Sequence, residues 1–244
     1  MIVNPTGARH YWSNNVWTPS RYEEQNGEIE KLARLVEHYI QKRSLSNPII
    51  LELCCGTGPL TRELLPRLMP MAVYNALDAN PRSLEILLEE CDQLKIPSQI
   101  RINAVNEYFG YDNLPCTVND QDIVVCSRSI SHFPDLGKLF EQVYELLKKD
   151  GAFIADTIPK SERLALLREK YGWRAYGIEV TYLLASMLSS YGMGSELFTR
   201  IGFLKTDNKE VNEINLLLKR AGFELQHSEM DTKNHYYRFI AIKT

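Results

Sequence analysis

The chain has 244 residues, 44% of them hydrophobic and 24% charged, with a formal net charge of −3. This suits one large soluble domain. It argues against a membrane span, which needs about 20 consecutive apolar residues, and against a nucleic-acid partner, which needs a basic face. The five cysteines follow no metal-ligand spacing, and the N-terminus lacks the cationic and apolar blocks of a secretory signal, so reduced thiols in a cytoplasm are expected.

In chain order, residues 1–20 are aromatic and turn-rich, with Tyr11, Trp12 and Trp17, and read as a loop or short cap. Apolar residues recur at helical spacing over 22–43 (Ile29, Leu32, Leu35, Val36, Tyr39, Ile40) and predict an amphipathic helix. A short buried strand follows over 49–53. The loop 54–58 leads into a helix that starts at Pro59, and Pro66 is expected to shorten or kink it. A second strand over 71–77 ends at Asp78, and Asn80 caps a helix with Pro81 at its first position. Residues 100–104 and 122–126 read as the third and fourth strands. A helix over 138–149 is expected to stop at Asp150-Gly151, with a fifth strand over 151–156. After an interruption, a helix over 211–220 precedes two strands, 223–228 and 236–242.

Strands that alternate with helices imply right-handed crossovers and a mostly parallel sheet. The link over 229–234 is too short for a parallel crossover, so the closing pair is antiparallel. The expected fold is α/β, a doubly wound, mostly parallel seven-stranded sheet with one reversed strand near the edge. The whole chain reads as one domain, with residues 1–45 as an N-terminal cap and helix and 159–206 as an aromatic insertion. The insertion follows the fifth strand, so it is expected above the carboxyl ends of the strands, where open α/β sheets bind ligands. Its Tyr171, Trp173 and Tyr176 either meet substrate or form the core of a small helical lid.

The stretch ELCCGTG at 52–58 carries the chemistry. Gly56 and Gly58 let backbone approach a ligand without an intervening Cβ. The match to the dinucleotide pattern G-x-G-x-x-G is poor, because Cys54 and Thr61 stand at the first and third glycine positions. Glu52 also places negative charge where a pyrophosphate belongs. The loop suits a ligand with no phosphates, an ammonium group and a ribose, and Asp78 supplies an acid for the ribose hydroxyls. Alternatively, Glu52 caps the next helix and Asp78 is a turn acid. Cys54 and Cys55 read as packing residues rather than a redox pair.

Together these stretches resemble the class I S-adenosylmethionine-dependent methyltransferases. ELCCGTG is similar to their first motif, ALDANP at 76–81 to the ribose motif, and INAVNEYF at 102–109 to the third-strand motif. DIVVCSRSISHFPDLGKLFEQVYELLKKDGAFI at 122–154 and LLKRAGFEL at 217–225 resemble later elements, and the likeness covers about 30–158 and 211–244. The resemblance implies S-adenosyl-L-methionine as cofactor and a Rossmann-like methyltransferase fold. It places Glu52, Cys54, Cys55, Gly56 and Gly58 at the methionine part, Asp78 with Ala79 at the ribose, and Ser127 and Arg128 beyond the fourth strand. Asn103 stands where the family has an adenine-reading Asp, with Ala104 and Val105 adjacent. Cys54 in place of glycine and Asn103 in place of the acid are departures from the pattern.

The expected activity is methyl transfer to O, N or C of a small or medium organic acceptor, of the kind met in natural-product metabolism. Ser127-Arg128-Ser129-Ile130 replaces the Pro-Pro signature of amino-group methylation on nucleobases and glutamine, and no metal cluster of the catechol type is evident. His132 after the fourth strand is either a general base or a packing and capping residue; His10, Tyr11, Tyr171 and Tyr176 are weaker candidates for the base, and Tyr11 is also expected at the substrate. Other readings are a macromolecular acceptor (tRNA or protein), a non-catalytic cofactor-binding subunit, and an oxidoreductase.

Overall fold

The computed structural model describes residues 27–94, 96–110, 118–130, 133, 135–158, 209–231 and 236–244. Among the described residues the elements are, in chain order, α1 (Glu28–Lys42), β1 (Ile49–Leu53), α2 (Pro59–Leu64), a 3-10 turn (Leu65–Arg67), β2 (Val73–Asp78), α3 (Pro81–Asp92), β3 (Arg101–Asn106), β4 (Gln121–Ser127), α4 (Leu136–Leu146), β5 (Leu147–Thr157), α5 (Lys209–Arg220), β6 (Phe223–Asp231) and β7 (Tyr236–Lys243). The strands form one seven-stranded sheet in the order β3-β2-β1-β4-β5-β7-β6. All neighbouring pairs are parallel except those with β7, which runs antiparallel to both β5 and β6. One reversed strand therefore sits next to the sheet edge.

The central strands are apolar on both faces, as strands covered by helices on each side must be. In β4, Ile123 and Val125 pack in the cluster beneath α1, α2 and α3, whereas Val124 and Cys126 pack in the cluster beneath α4 and α5. Ile154 and Phe153 on β5 divide in the same way. Phe153 anchors the second cluster, meeting Phe239 edge-on at 5.3 Å and Phe140 at 5.9 Å between ring centroids. Chain direction across the sheet reverses at β1, whose neighbours are β2 and β4. That switch point opens a crevice at the carboxyl ends of the three strands.

Several expected boundaries move. Pro66 ends α2 in a 3-10 turn. The helix expected over 138–149 ends at Leu146, because Leu147 turns extended (φ −82°, ψ 144°) and pairs with Gln121. Asp150-Gly151 do not terminate a helix. They lie in an irregular stretch of β5 where the register with β4 shifts, and Asp150 takes φ +62°. β3 runs two residues beyond its expected end, to Asn106 opposite Asp78. The cap over 1–26 and the insertion over 159–206 lie outside the described residues, and among the described residues no helix is long and apolar enough to cross a membrane.

Candidate active site

β1 delivers Glu52, 2% exposed, to the crevice, and the chain then turns through three left-handed residues: Cys54 (φ +55°), Gly56 (φ +56°) and Gly58 (φ +81°). Cys54 stands at the position where a glycine was expected and takes a glycine-like backbone, a conformation that costs an L-residue about 1–2 kcal/mol. Strain of this kind persists where the surroundings over-determine it. Here the Cys55 N–H donates to the Leu77 carbonyl at 3.0 Å and the Gly58 N–H to the Cys55 carbonyl at 3.0 Å.

Asp78, at the end of β2, ties this loop to its neighbour. One carboxylate oxygen accepts the Gly56 N–H and the other the Asn80 N–H, both at 2.9 Å. Burial raises its pKa and these N–H donors oppose the rise. Each oxygen keeps acceptor capacity, since a carboxylate offers about four lone-pair sites. Asn80 caps α3 by accepting from the Arg82 and Ser83 amides.

Glu52 is held differently. Its Oε2 accepts the Tyr74 hydroxyl at 2.6 Å and the Thr61 hydroxyl at 2.5 Å. Burial pushes its pKa up to about 7, against the pull of these two hydroxyls. Burial also raises the thiols of Cys54, Cys55 and Cys126, so all three stay protonated at neutral pH.

Beyond β4, Arg128 is again left-handed (φ +57°). Its N–H is shared between Oδ1 (2.9 Å) and the backbone carbonyl (3.0 Å) of the buried Asp156, which also accepts from the Ser127 hydroxyl at 3.3 Å. Opposite, Phe133 packs so closely on Gly110 (φ +90°) that a Cβ there would lie 2.3 Å from the ring. A cavity open to solvent joins these parts, with Leu77, Ala79, Phe109 and Phe133 as apolar wall and Glu52, Asp78, Glu107, Ser127 and Arg128 as polar groups.

A segment with this geometry, residues 50–151, matches a family model described as a methyltransferase domain. The match covers the loop after β1, β2 to β4 and the start of β5, and it makes this segment similar to a methyltransferase domain. The chain is similar to a demethylmenaquinone methyltransferase of Lactobacillus johnsonii, 28% identical over 127 residues that make up 52% of this chain and 49% of that protein. It is also similar to a ubiquinone biosynthesis O-methyltransferase of Actinobacillus pleuropneumoniae, 24% identical over 131 residues, 53% of this chain and 54% of that one. The chain thus spans about half the length of the curated relatives it matches. Among solved structures, the magnesium protoporphyrin IX methyltransferase of Synechocystis PCC 6803 with bound SAM aligns over 100% of this chain and 99% of that one, with a TM-score of 0.61 and 12% identity. That likeness is one of fold.

Of the residues expected at the cofactor, the fold brings Glu52, Cys54, Cys55, Gly56, Asp78, Ala79, Ser127 and Arg128 around one cavity. Gly58, Asn103, Ala104 and Val105 are not among its lining residues. Asn103 lies level with Asn75 in mid-strand and donates to the Asn75 side chain at 2.8 Å, and Asn75 in turn donates to Gln121 at 3.1 Å. The cavity instead meets Glu107, Tyr108 and Phe109, just past the true end of β3. The signal for this was Asn106, whose side chain donates to the Asp78 carbonyl and sets the two strand ends level. Tyr11, His132, Tyr171, Trp173 and Tyr176 lie outside the described residues.

Gly58 has a packing role. A Cβ there would stand 2.8 Å from Leu87 Cγ, on a backbone at φ +81°. Gly58→Ala is expected to cost about 1–2 kcal/mol of stability, read as a lowered urea midpoint at unchanged slope. A midpoint equal to that of the parent protein would show that the loop relaxes freely.

Proposed function

We propose that this chain binds S-adenosylmethionine at the carboxyl ends of β1, β2 and β4 and supports transfer of its methyl group to a small or medium organic acceptor. The observation that carries this reading is the convergence of Glu52 and Asp78 on one largely apolar cavity around a sharply turned loop. Two acids beside that loop oppose a pyrophosphate and match an ammonium group and a ribose diol.

The residues fit the cofactor part by part. Asp78 holds the ribose hydroxyls with the lone pairs left over from Gly56 and Asn80. Glu52 takes the ammonium group. Leu77, Phe109 and Phe133 flank the adenine, and Glu107 and Tyr108 stand nearest its edge in place of Asn103. The cofactor, when bound, supplies an electrophilic methyl group on a sulfonium. The protein's part is alignment, and holding two reactants in line is worth about 7–11 kcal/mol.

The acceptor is assigned to the side of Ser127 and Arg128. Ser129 and Phe133, which flank His132 in sequence, both line the cavity, and this supports His132 as the base for a protonated acceptor. The chain leaves β5 at Thr157, on the same carboxyl edge as the cavity. This supports Tyr171, Trp173 and Tyr176, with Tyr11, as acceptor contacts. The names of the relatives, one for demethylmenaquinone and one for ubiquinone biosynthesis, support a small-molecule acceptor.

The test is calorimetric titration with S-adenosylmethionine and with NAD. Uptake of the first and not the second is expected, and the converse would make the chain an oxidoreductase. With an acceptor in hand, His132→Ala is expected to lower turnover while leaving cofactor affinity within about twofold. Activity that stays independent of pH in that variant would remove His132 from the proton path.

A further inference from the structure

Glu52 carries more constraint than an ammonium contact demands. Two buried hydroxyls from different elements, Tyr74 on β2 and Thr61 on α2, are both 0% exposed and both donate to the same oxygen, Oε2. Neither reaches Oε1. Each hydroxyl has one proton to give, so an Oε2 that accepts both is filled by donors. A proton carried by the carboxyl group then rides on Oε1, and Glu52 lines the cavity. A cationic amino group and that proton compete for one atom.

We propose that Tyr74 and Thr61 are positioning residues for Glu52, which reserve Oε1 for the cofactor's ammonium group and couple capture of that group to release of one proton. This rests on the cofactor reading above. The balance is simple: Glu52 goes from carboxylic acid to carboxylate, its proton leaves to solvent, and the ligand's ammonium keeps its own protons and takes the vacated place. Other groups around Glu52 act on the same equilibrium. Burial holds the acid form in play near neutrality, at about 7, and the Asp78 carboxylate reinforces it. The two hydroxyls and the Arg128 guanidinium favour the ionised form. Cys54 and Cys55 are protonated at neutral pH and add no charge.

The sign follows directly. Below about pH 7 the ligand must expel a proton, so its affinity falls as the solution is acidified, by about tenfold per unit once the acid form dominates. Above about pH 8 the ligand's own amino group deprotonates and affinity falls again. A nucleoside that lacks the amino-acid tail escapes both effects.

The experiment compares S-adenosylhomocysteine with 5′-methylthioadenosine by calorimetry from pH 5 to 8.5. In the parent protein the first is expected to bind more tightly as pH rises to 7, with uptake of the second flat. Tyr74→Phe keeps the ring and removes the donor. It is expected to move the homocysteine midpoint upward and weaken that ligand about tenfold or more at pH 7, with methylthioadenosine within twofold. Thr61→Val is expected to act in the same direction, and Thr61→Ser, which restores a hydroxyl, to recover the parent profile. Should both hydroxyl deletions leave the homocysteine midpoint in place, or weaken the two ligands equally, the positioning role is lost and the hydroxyls only support packing. Should the parent protein bind neither ligand at any pH, the cofactor reading falls first and takes this inference with it.

Discussion

Asp78→Ala is expected to weaken S-adenosylmethionine binding about 10- to 150-fold, the equivalent of about 1.5–3 kcal/mol for hydrogen bonds to a charged group. Two losses combine. The ribose loses its acceptor, and the loop loses the bond from the Gly56 N–H to the carboxylate at 2.9 Å. They separate by choice of ligand. The parent protein is expected to prefer 5′-methylthioadenosine over its 2′,3′-dideoxy analogue, and Asp78→Ala to lose that preference. A variant that still discriminates between the two nucleosides would assign the effect to the loop alone, and unchanged affinity in a folded variant would reject the ribose role. Asp78→Asn keeps an acceptor for one of the two backbone amides, so its loss is expected to be smaller.

The parts of this site that are local in sequence were legible. Glu52 is the last but one residue of β1, just before the loop with Gly56 and Gly58, and Asp78 is the last residue of β2, just before the Asn80-Pro81 helix start. The error at β3 has a physical origin. β3 is an edge strand with a mostly half-exposed pattern, so its polar residues Asn103 and Asn106 give no clear alternation, and its end was placed too early. The resemblance of INAVNEYF to the third-strand motif implies 103–105 for the adenine side, and the cavity is lined by 107–109. At the start of β5 the run Lys148-Lys149-Asp150-Gly151 has the composition of a helix stop, yet it forms a strand irregularity, because Leu147 is drawn into pairing with Gln121. The partners of Glu52 were invisible for another reason. Tyr74 and Thr61 look like ordinary strand and helix residues, and only the register of β1 on β2 brings a hydroxyl 22 positions away to 2.6 Å. Charged residues such as Glu28 and Arg238 read as surface by composition, and their burial depends on contacts far apart in the chain.

That pair carries the largest expected effect on stability. Arg238 lies on the reversed strand β7, is 1% exposed, and stands opposite Asp156 on one side and Glu229 on the other. Its guanidinium meets Glu28 at the start of α1, reaches Glu229 at 3.2 Å and lies 5.5 Å from the centre of the Tyr236 ring. Glu28 is also 1% exposed, and Lys31, which meets it at 2.8 Å, is half in solvent. A guanidinium cannot shed its charge, and a buried carboxylate without it is poorly compensated. Arg238→Met is therefore expected to cost about 3–5 kcal/mol in urea unfolding, the usual range for breaking one side of a buried pair. Glu28→Gln leaves Arg238 with Glu229, which is half exposed, so its cost is expected to be smaller. The double variant removes both charges and is expected to be more stable than the sum of the two losses, with a coupling of about 0.5–3 kcal/mol. Strict additivity, or a loss below about 1 kcal/mol for Arg238→Met, would mean that α1 is held to the sheet by its apolar face, through Leu32, Val36 and Ile40, and not by this charge.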